Sequence, residues 1–112
     1  MTFKEAIDLA LNIIKRFKHV EGKDWGIDGS MIELAKQVGD LSKFVMSYEG
    51  YYPINREIND IQYLSIKEKI ADELADLLFM VIRISDFYKI DLEKARIKAR
   101  KGEDEYLKSL GV

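Results

Sequence analysis

The chain has 112 residues, one proline, no cysteine and a formal net charge of −2. A chain of this length forms one domain with a modest core, and without cysteine it has neither disulfides nor thiolate metal sites. The small net charge argues against binding to nucleic acid or to a membrane surface, and the longest apolar run, residues 77–82, is too short to span a bilayer. We therefore expect a cytoplasmic protein.

The first periodic segment predicts a helix over residues 3–18, where Thr2 and Glu5 have the spacing of a capping box. Glycine and aspartate then predict a loop over residues 21–29. Ser30 and Glu33 repeat the capping-box spacing, so we expect the second helix to begin at Ser30. An apolar row at helical spacing predicts the buried face of this helix: Leu34, Val38, Leu41, Val45 and Tyr48.

Residues 49–64 predict a long connection, and long loops in compact domains are often lids over functional sites. Ser65 predicts the start of a third helix that continues to about residue 88. Its middle is apolar on nearly all sides, which predicts the central helix of the fold, with these residues inward: Ile70, Leu74, Leu77, Leu78, Val81 and Ile84 or Ser85. Asp91 predicts the cap of a fourth helix over residues 92–101, which Gly102 interrupts.

No segment has the alternating pattern of a strand that would compete with these helices. The sequence therefore predicts an all-α fold, a four-helix antiparallel bundle in which residues 1–112 form a single domain. The apolar surfaces of the second and third helices are broader than four short helices can cover. For this reason we expect a homodimer or a homotetramer that associates through helix faces.

The second and third helices each carry two oxygen-bearing side chains three residues apart in otherwise apolar sequence. Gln37 and Asp40 form one pair, and Glu73 and Asp76 form the other. Residues three apart share a helix face, and carboxylates within an apolar stripe are costly unless they are paired or bind a cation. Packed together, the two pairs would offer oxygen ligands to a hard ion such as Mg²⁺, with Mn²⁺ as a substitute. This pattern predicts phosphate chemistry.

These two segments resemble the acidic motifs of the MazG-like nucleotide pyrophosphohydrolases, an all-α superfamily. That family carries Glu-x-x-Asp on its long helix, and residues 73–76 read Glu-Leu-Ala-Asp. Its other motif is often Leu-x-x-Glu-x-Gly-Glu-Leu, where residues 34–41 read Leu-Ala-Lys-Gln-Val-Gly-Asp-Leu. The match covers roughly residues 24–101. Here Gln37 and Asp40 stand where the family has two glutamates, which removes one negative charge and shortens one ligand.

The resemblance implies a Mg²⁺-dependent enzyme that splits a nucleoside triphosphate into a monophosphate and pyrophosphate, with the removal of non-canonical nucleotides as its role. It implies Gln37, Asp40, Glu73 and Asp76 as metal ligands, with Glu73 and Asp76 as the catalytic residues. Water activated by the metal would attack the α-phosphate. The alternative is a weakened or inactive module that binds nucleotides or assembles, because an amide at residue 37 holds a divalent ion less tightly than a carboxylate does.

Three further residues have two interpretations each. Glu33 shares a helix face with the acidic pair of the second helix, so it either replaces the missing carboxylate or only caps the helix. Trp25 either stacks on a nucleobase, as the resemblance implies, or anchors its loop. Lys98 either binds phosphate or complements a helix C-terminus together with its basic neighbours. Asp72 lies on a different face from Glu73 and Asp76, and we expect it at the surface.

Overall fold

The computed structural model describes residues 1–52 and 65–112. These residues form four α-helices and no strand: α1 Phe3–Phe17, α2 Ile27–Tyr48, α3 Ile66–Phe87 and α4 Leu92–Ser109. The predicted all-α class is confirmed, and the arrangement is consistent with a helical bundle. The predicted lid over residues 49–64 lies mostly outside the described residues. None of the helices in the described ranges is long and apolar enough to cross a membrane.

Side chains cap three helices where the sequence predicts them. Thr2 begins α1, Ser65 begins α3 and Asp91 begins α4, and each side-chain oxygen accepts a backbone N–H three residues later at 3.0–3.2 Å. Each of these bonds satisfies a backbone donor that has no partner inside its helix.

The start of α2 differs from the prediction. The helix begins at Ile27 after Gly26, and no side chain caps it. Ser30 lies inside the first turn and is buried, lining a small cavity with Ile14 and Arg83. The predicted capping box of Ser30 and Glu33 is therefore wrong, because a small side chain is needed where α2 approaches the other helices. The side chain of Glu33 is consequently available for other contacts.

The fourth helix is longer than the sequence predicts, since it continues through Gly102 to Ser109. A glycine inside a helix costs only about 1 kcal/mol. Ion pairs on the helix surface help to offset that cost, with Arg100 2.8 Å from Glu103 and Lys108 2.9 Å from Asp104. None of the residues of α4 is buried.

The third helix is central, as predicted, because it packs against both α1 and α2. Ala10 and Ile14 of α1 form the core with Ile82 of α3. The helices α2 and α3 are antiparallel. Trp25, just before α2, contacts Arg83 near the end of α3. Phe44, near the end of α2, contacts Lys69 near the start of α3.

Parts of two apolar rows that the sequence predicts to be buried are exposed within one copy of the chain. Val38 and Val45 of α2, and Leu74, Leu78 and Val81 of α3, are between 40% and 53% exposed. The helices of the described residues leave parts of both rows uncovered. We call these five residues the open apolar face. The Cα radius of gyration is 17.5 Å, whereas a compact domain of this length has roughly 13 Å.

Ile14 is only 1% exposed and lies at the centre of the core. The substitution Ile14→Ala should lower the free energy of unfolding by about 2–5 kcal/mol, because it leaves a cavity among packed side chains. The measurement is urea unfolding followed by circular dichroism. The matched control is Ile32→Ala, at a residue 71% exposed, which should change the free energy by no more than about 0.5 kcal/mol. Equal losses in the two variants would contradict this account of the core.

Candidate functional site

The antiparallel packing of α2 on α3 places the two predicted acidic pairs opposite each other. Five half-buried residues face this seam, Glu33, Gln37 and Asp40 from α2 and Glu73 and Asp76 from α3. Burial first and neighbouring charges second raise the pKa of both α3 carboxyls, and these charges include Asp40 for Glu73 and Glu33 for Asp76. We call these five residues the acidic cluster.

Two oxygen atoms of the acidic cluster lack a partner. The Gln37 side chain donates a hydrogen bond from Nε2 to Glu33 Oε1 at 3.2 Å, which leaves its own carbonyl oxygen facing the interior. Gln37 Oε1 and Glu73 Oε2 are both buried and accept no hydrogen bond from any described residue. Buried acceptors in folded proteins are nearly always satisfied. The seam between α2 and α3 is therefore suited to a positively charged or hydrogen-bonding ligand.

The pKa of each α3 carboxyl group, Glu73 and Asp76, is raised, as expected of acids that are partly buried and close to other acids. Burial is the largest cause that raises the pKa of Glu73, followed by the charges of Asp40 and Asp76. Burial also comes first in raising the pKa of Asp76, followed by the charge of Asp72. Desolvation and like charges both disfavour an ionised carboxylate. Such shifts concentrate at functional sites.

A lysine belongs to the same seam, although the sequence analysis did not select it. Lys36 Nζ lies 3.7 Å from Glu33 Oε1 and 3.6 Å from Asp40 Oδ2. The charges of Glu33, Asp40 and Glu73 raise the pKa of this lysine. Lys36 is therefore a positive charge in direct contact with the acidic cluster. The signal was present in the sequence, because Lys36 lies three residues after Glu33 and four before Asp40, on one helix face.

A cavity of about 470 Å³ adjoins the acidic cluster. Glu33, Gln37 and Asp76 line one part of it, and the remaining wall is largely aromatic and aliphatic: Phe17, Val20, Trp25, Phe79 and Met80. Cavities that bind small molecules have this size and this combination of apolar walls with a few polar groups. A flat apolar ring could thus lie beside the carboxylates.

Arg83 is the second residue that the sequence analysis missed. Its Nη2 donates to both carboxylate oxygens of Glu21, at 2.9 and 3.0 Å, and its guanidinium carbon lies 4.5 Å from the centre of the Trp25 ring. The side chain is buried and lines the same cavity. A buried charge that is paired and hydrogen-bonded holds its neighbours in place. An arginine directly after the apolar run of residues 77–82 was the signal that could have revealed it.

Trp25 and Lys98, the two predicted substrate-binding residues, lie in different surroundings. Trp25 lines the cavity, and Arg83 covers one side of its ring, so the residue anchors its loop as well as facing the candidate site. Lys98 is exposed on α4 beside Ala95 and Ala99, and it does not line the cavity. Its role in binding phosphate stays a prediction. Asp72 is at the surface, as predicted.

The oxygen atoms of the acidic cluster are of the chemical type that binds a hard divalent cation. Carboxylate oxygens and an amide oxygen without a partner are the ligands that Mg²⁺ accepts. No group of three or more Asp, Glu, His or Cys side chains in residues 1–52 and 65–112 is already arranged around a common metal position. Binding of an ion would therefore require some of these side chains to rotate toward it.

Comparison with protein-family models, curated proteins and solved structures finds no match for this chain. The resemblance to MazG-like enzymes is carried by the motif residues alone, and it stays a prediction.

The raised pKa of Glu73 predicts how this residue affects stability. A carboxyl whose pKa rises on folding favours the folded state less and less as the pH rises through that pKa, so ionised Glu73 destabilises the metal-free protein at neutral pH. The substitution Glu73→Gln should therefore raise the melting temperature in EDTA at pH 7 by roughly 1–3 °C. The gain should be smaller near pH 4, where Glu73 is mostly protonated in both states.

Differential scanning calorimetry at the two pH values measures this effect. The control is Glu105→Gln, which removes an exposed carboxylate from α4 and should show no such dependence on pH. A Glu73→Gln variant less stable than the wild type at pH 7 would mean that the ionised carboxylate stabilises the fold, contrary to this interpretation.

Proposed function

We propose that this protein is a Mg²⁺-dependent nucleoside triphosphate pyrophosphohydrolase with the acidic cluster as its metal centre. The observation that carries the proposal is the pair Glu73 and Asp76, held half-buried opposite Asp40 and Glu33 at a cost to their ionisation. Folding gains nothing from crowding four carboxylates into one seam unless a cation compensates for it. The orphaned oxygens of Gln37 and Glu73 support the same conclusion.

The residues of the cluster take distinct roles in this proposal. Glu73, Asp76 and Asp40 hold the cation, and Gln37 adds its carbonyl oxygen. Glu33, which does not cap α2, supplies the carboxylate that the amide at residue 37 lacks. When bound, a divalent ion would neutralise phosphate charge and activate water for attack on the α-phosphate. Any carboxylate of the cluster that does not bind the ion is placed to accept the proton of that water.

The aromatic cavity is the proposed site for the nucleobase. It begins at Gln37 and Asp76 and continues to Trp25, so a base there would leave its phosphates near the acidic cluster. The Arg83–Glu21 pair holds Trp25 in the wall of the cavity. Stacking on aromatic side chains tolerates every base, so we assign the chemical class of the substrate and not its base.

The alternative is a module that binds nucleotides without cleaving them, and two observations favour it. Gln37 has one charge fewer than glutamate and uses its amide to bond Glu33. Lys36 already neutralises part of the cluster. Both would weaken the binding of a divalent ion.

Hydrolysis of a panel of ribo- and deoxyribonucleoside triphosphates with Mg²⁺ or Mn²⁺ tests the proposal. We expect release of monophosphate and pyrophosphate, detected by ³¹P NMR, and a loss of at least about 100-fold in Glu73→Ala, because the ion loses a charged ligand. Release that persists in Glu73→Ala, or release of orthophosphate in place of pyrophosphate, would contradict the proposal.

The variant Gln37→Glu distinguishes the enzyme from the inactive module. If Mn²⁺ binds and Gln37→Glu cleaves faster than the wild type, the native site is a weakened enzyme. If neither protein cleaves but both bind nucleotide, the binding module is correct.

We further propose that two copies of the chain pair through the open apolar face. Exposed apolar surface on a soluble protein often marks an interaction site, and these five residues of two adjacent helices are each at least 40% exposed. A symmetric pair would bury the same residues of both copies.

The substitution Leu78→Lys should convert the dimer to a monomer, because it would bury a charge in an apolar contact. Light scattering coupled to gel filtration measures the mass. The control Ile32→Lys changes a residue outside the open apolar face and should leave the dimer intact. A wild-type protein that is monomeric at 100 µM, or a Leu78→Lys variant that stays dimeric, would overturn this assembly.

A further inference from the structure

Lys36 touches the acidic cluster from the solvent side. It is one helical turn from Glu33 and one from Asp40, so both carboxylates reach its ammonium from the same face of α2. Its side chain is 64% exposed, so most of its length lies in solvent. This contrasts with Arg83, which is buried and committed to Glu21.

We propose that Lys36 is a tethered counter-ion, which a divalent cation displaces from the acidic cluster and which then binds the phosphates of the nucleotide. This inference rests on the proposed function and adds a residue to it that the motifs do not contain. In the metal-free protein Lys36 pairs with the carboxylates of Glu33 and Asp40. In the protein loaded with metal and nucleotide it binds phosphate.

Displacement follows from the distances. A Mg²⁺ ion lies about 2.1 Å from its carboxylate oxygens, whereas Lys36 Nζ lies 3.6 Å from Asp40 Oδ2. An ion bound to Asp40 would therefore be close to the ammonium, and the two positive charges would repel each other. The exposed lysine is the mobile one of the two, because its stem can turn into solvent without opening the core.

The length of the Lys36 side chain allows its second role, which is to bind phosphate. After displacement, the ammonium remains attached to α2 between Glu33 and Asp40, beside the position where bound phosphates would carry excess negative charge. A lysine serves there as a point charge that needs no fixed geometry.

The test is calorimetric titration of Mn²⁺ into the metal-free protein, followed by titration of a non-hydrolysable triphosphate analogue at saturating Mn²⁺. Lys36→Gln should bind Mn²⁺ about two- to five-fold more tightly, because the ion no longer competes with an ammonium. The same variant should bind the analogue roughly five- to ten-fold more weakly, because a charge-assisted phosphate contact is lost. Its melting temperature in EDTA should fall by roughly 1–3 °C, because the carboxylates lose their counter-ion.

Two further variants control for charge alone. Lys36→Arg keeps a positive side chain at the same place and should restore wild-type behaviour in all three measurements. Lys15→Gln removes the same charge from an exposed position on α1 and should match the wild type. Equal effects of Lys15→Gln and Lys36→Gln would show that only net charge matters, and would overturn the proposal.

The outcomes separate this inference from the proposed function. If Mn²⁺ binds the wild type but not Glu73→Ala, and Lys36→Gln binds it no more tightly than the wild type, the displacement is refuted while the metal centre stands. If Lys36→Gln gains Mn²⁺ affinity without losing analogue affinity, the phosphate role is refuted. If the wild type binds no Mn²⁺, the metal centre and the displacement fall together.

Discussion

The packing of α2 against α3 brings apolar side chains and mutually repelling carboxylates into the same seam. Four carboxylates meet where two long helices would otherwise pack through aliphatic side chains. Burial and the repulsion between these carboxylates raise the pKa of Glu73 and of Asp76. Lys36 relieves part of this repulsion from the solvent side. Outside the seam, α3 packs on α1 through Ile82, which contacts Ala10 and Ile14.

Features that depend on local chemistry were predictable from the sequence. Thr2, Ser65 and Asp91 cap their helices as expected, because capping needs only a side-chain oxygen and a nearby backbone N–H. The position of Glu73 and Asp76 on one helix face was predictable for the same reason, since it follows from the helical period. The all-α class follows from the length and regularity of the periodic segments.

Features that depend on which helix faces meet were not predictable in the same way. The periodicity marked Leu74 and Leu78 as apolar, but it could not say whether a neighbouring helix or a second copy covers them. Ser30 has the spacing of a cap, yet packing in the tertiary structure buries it within the first turn of α2. Arg83 was overlooked because only the folded chain brings its partner Glu21 to it, whereas the contacts of Lys36 follow from helical spacing and could have been predicted.

The arrangement around Trp25 has an optical consequence. It is the only tryptophan of the chain, its ring lies 4.5 Å from the guanidinium carbon of Arg83, and it forms part of the cavity wall. The tryptophan fluorescence of the protein therefore arises entirely at the candidate site. A base that enters the cavity, or a shift of the loop before α2, changes the polarity and the quenching around that single fluorophore. The chain thus contains its own reporter of cavity occupancy, without any added label.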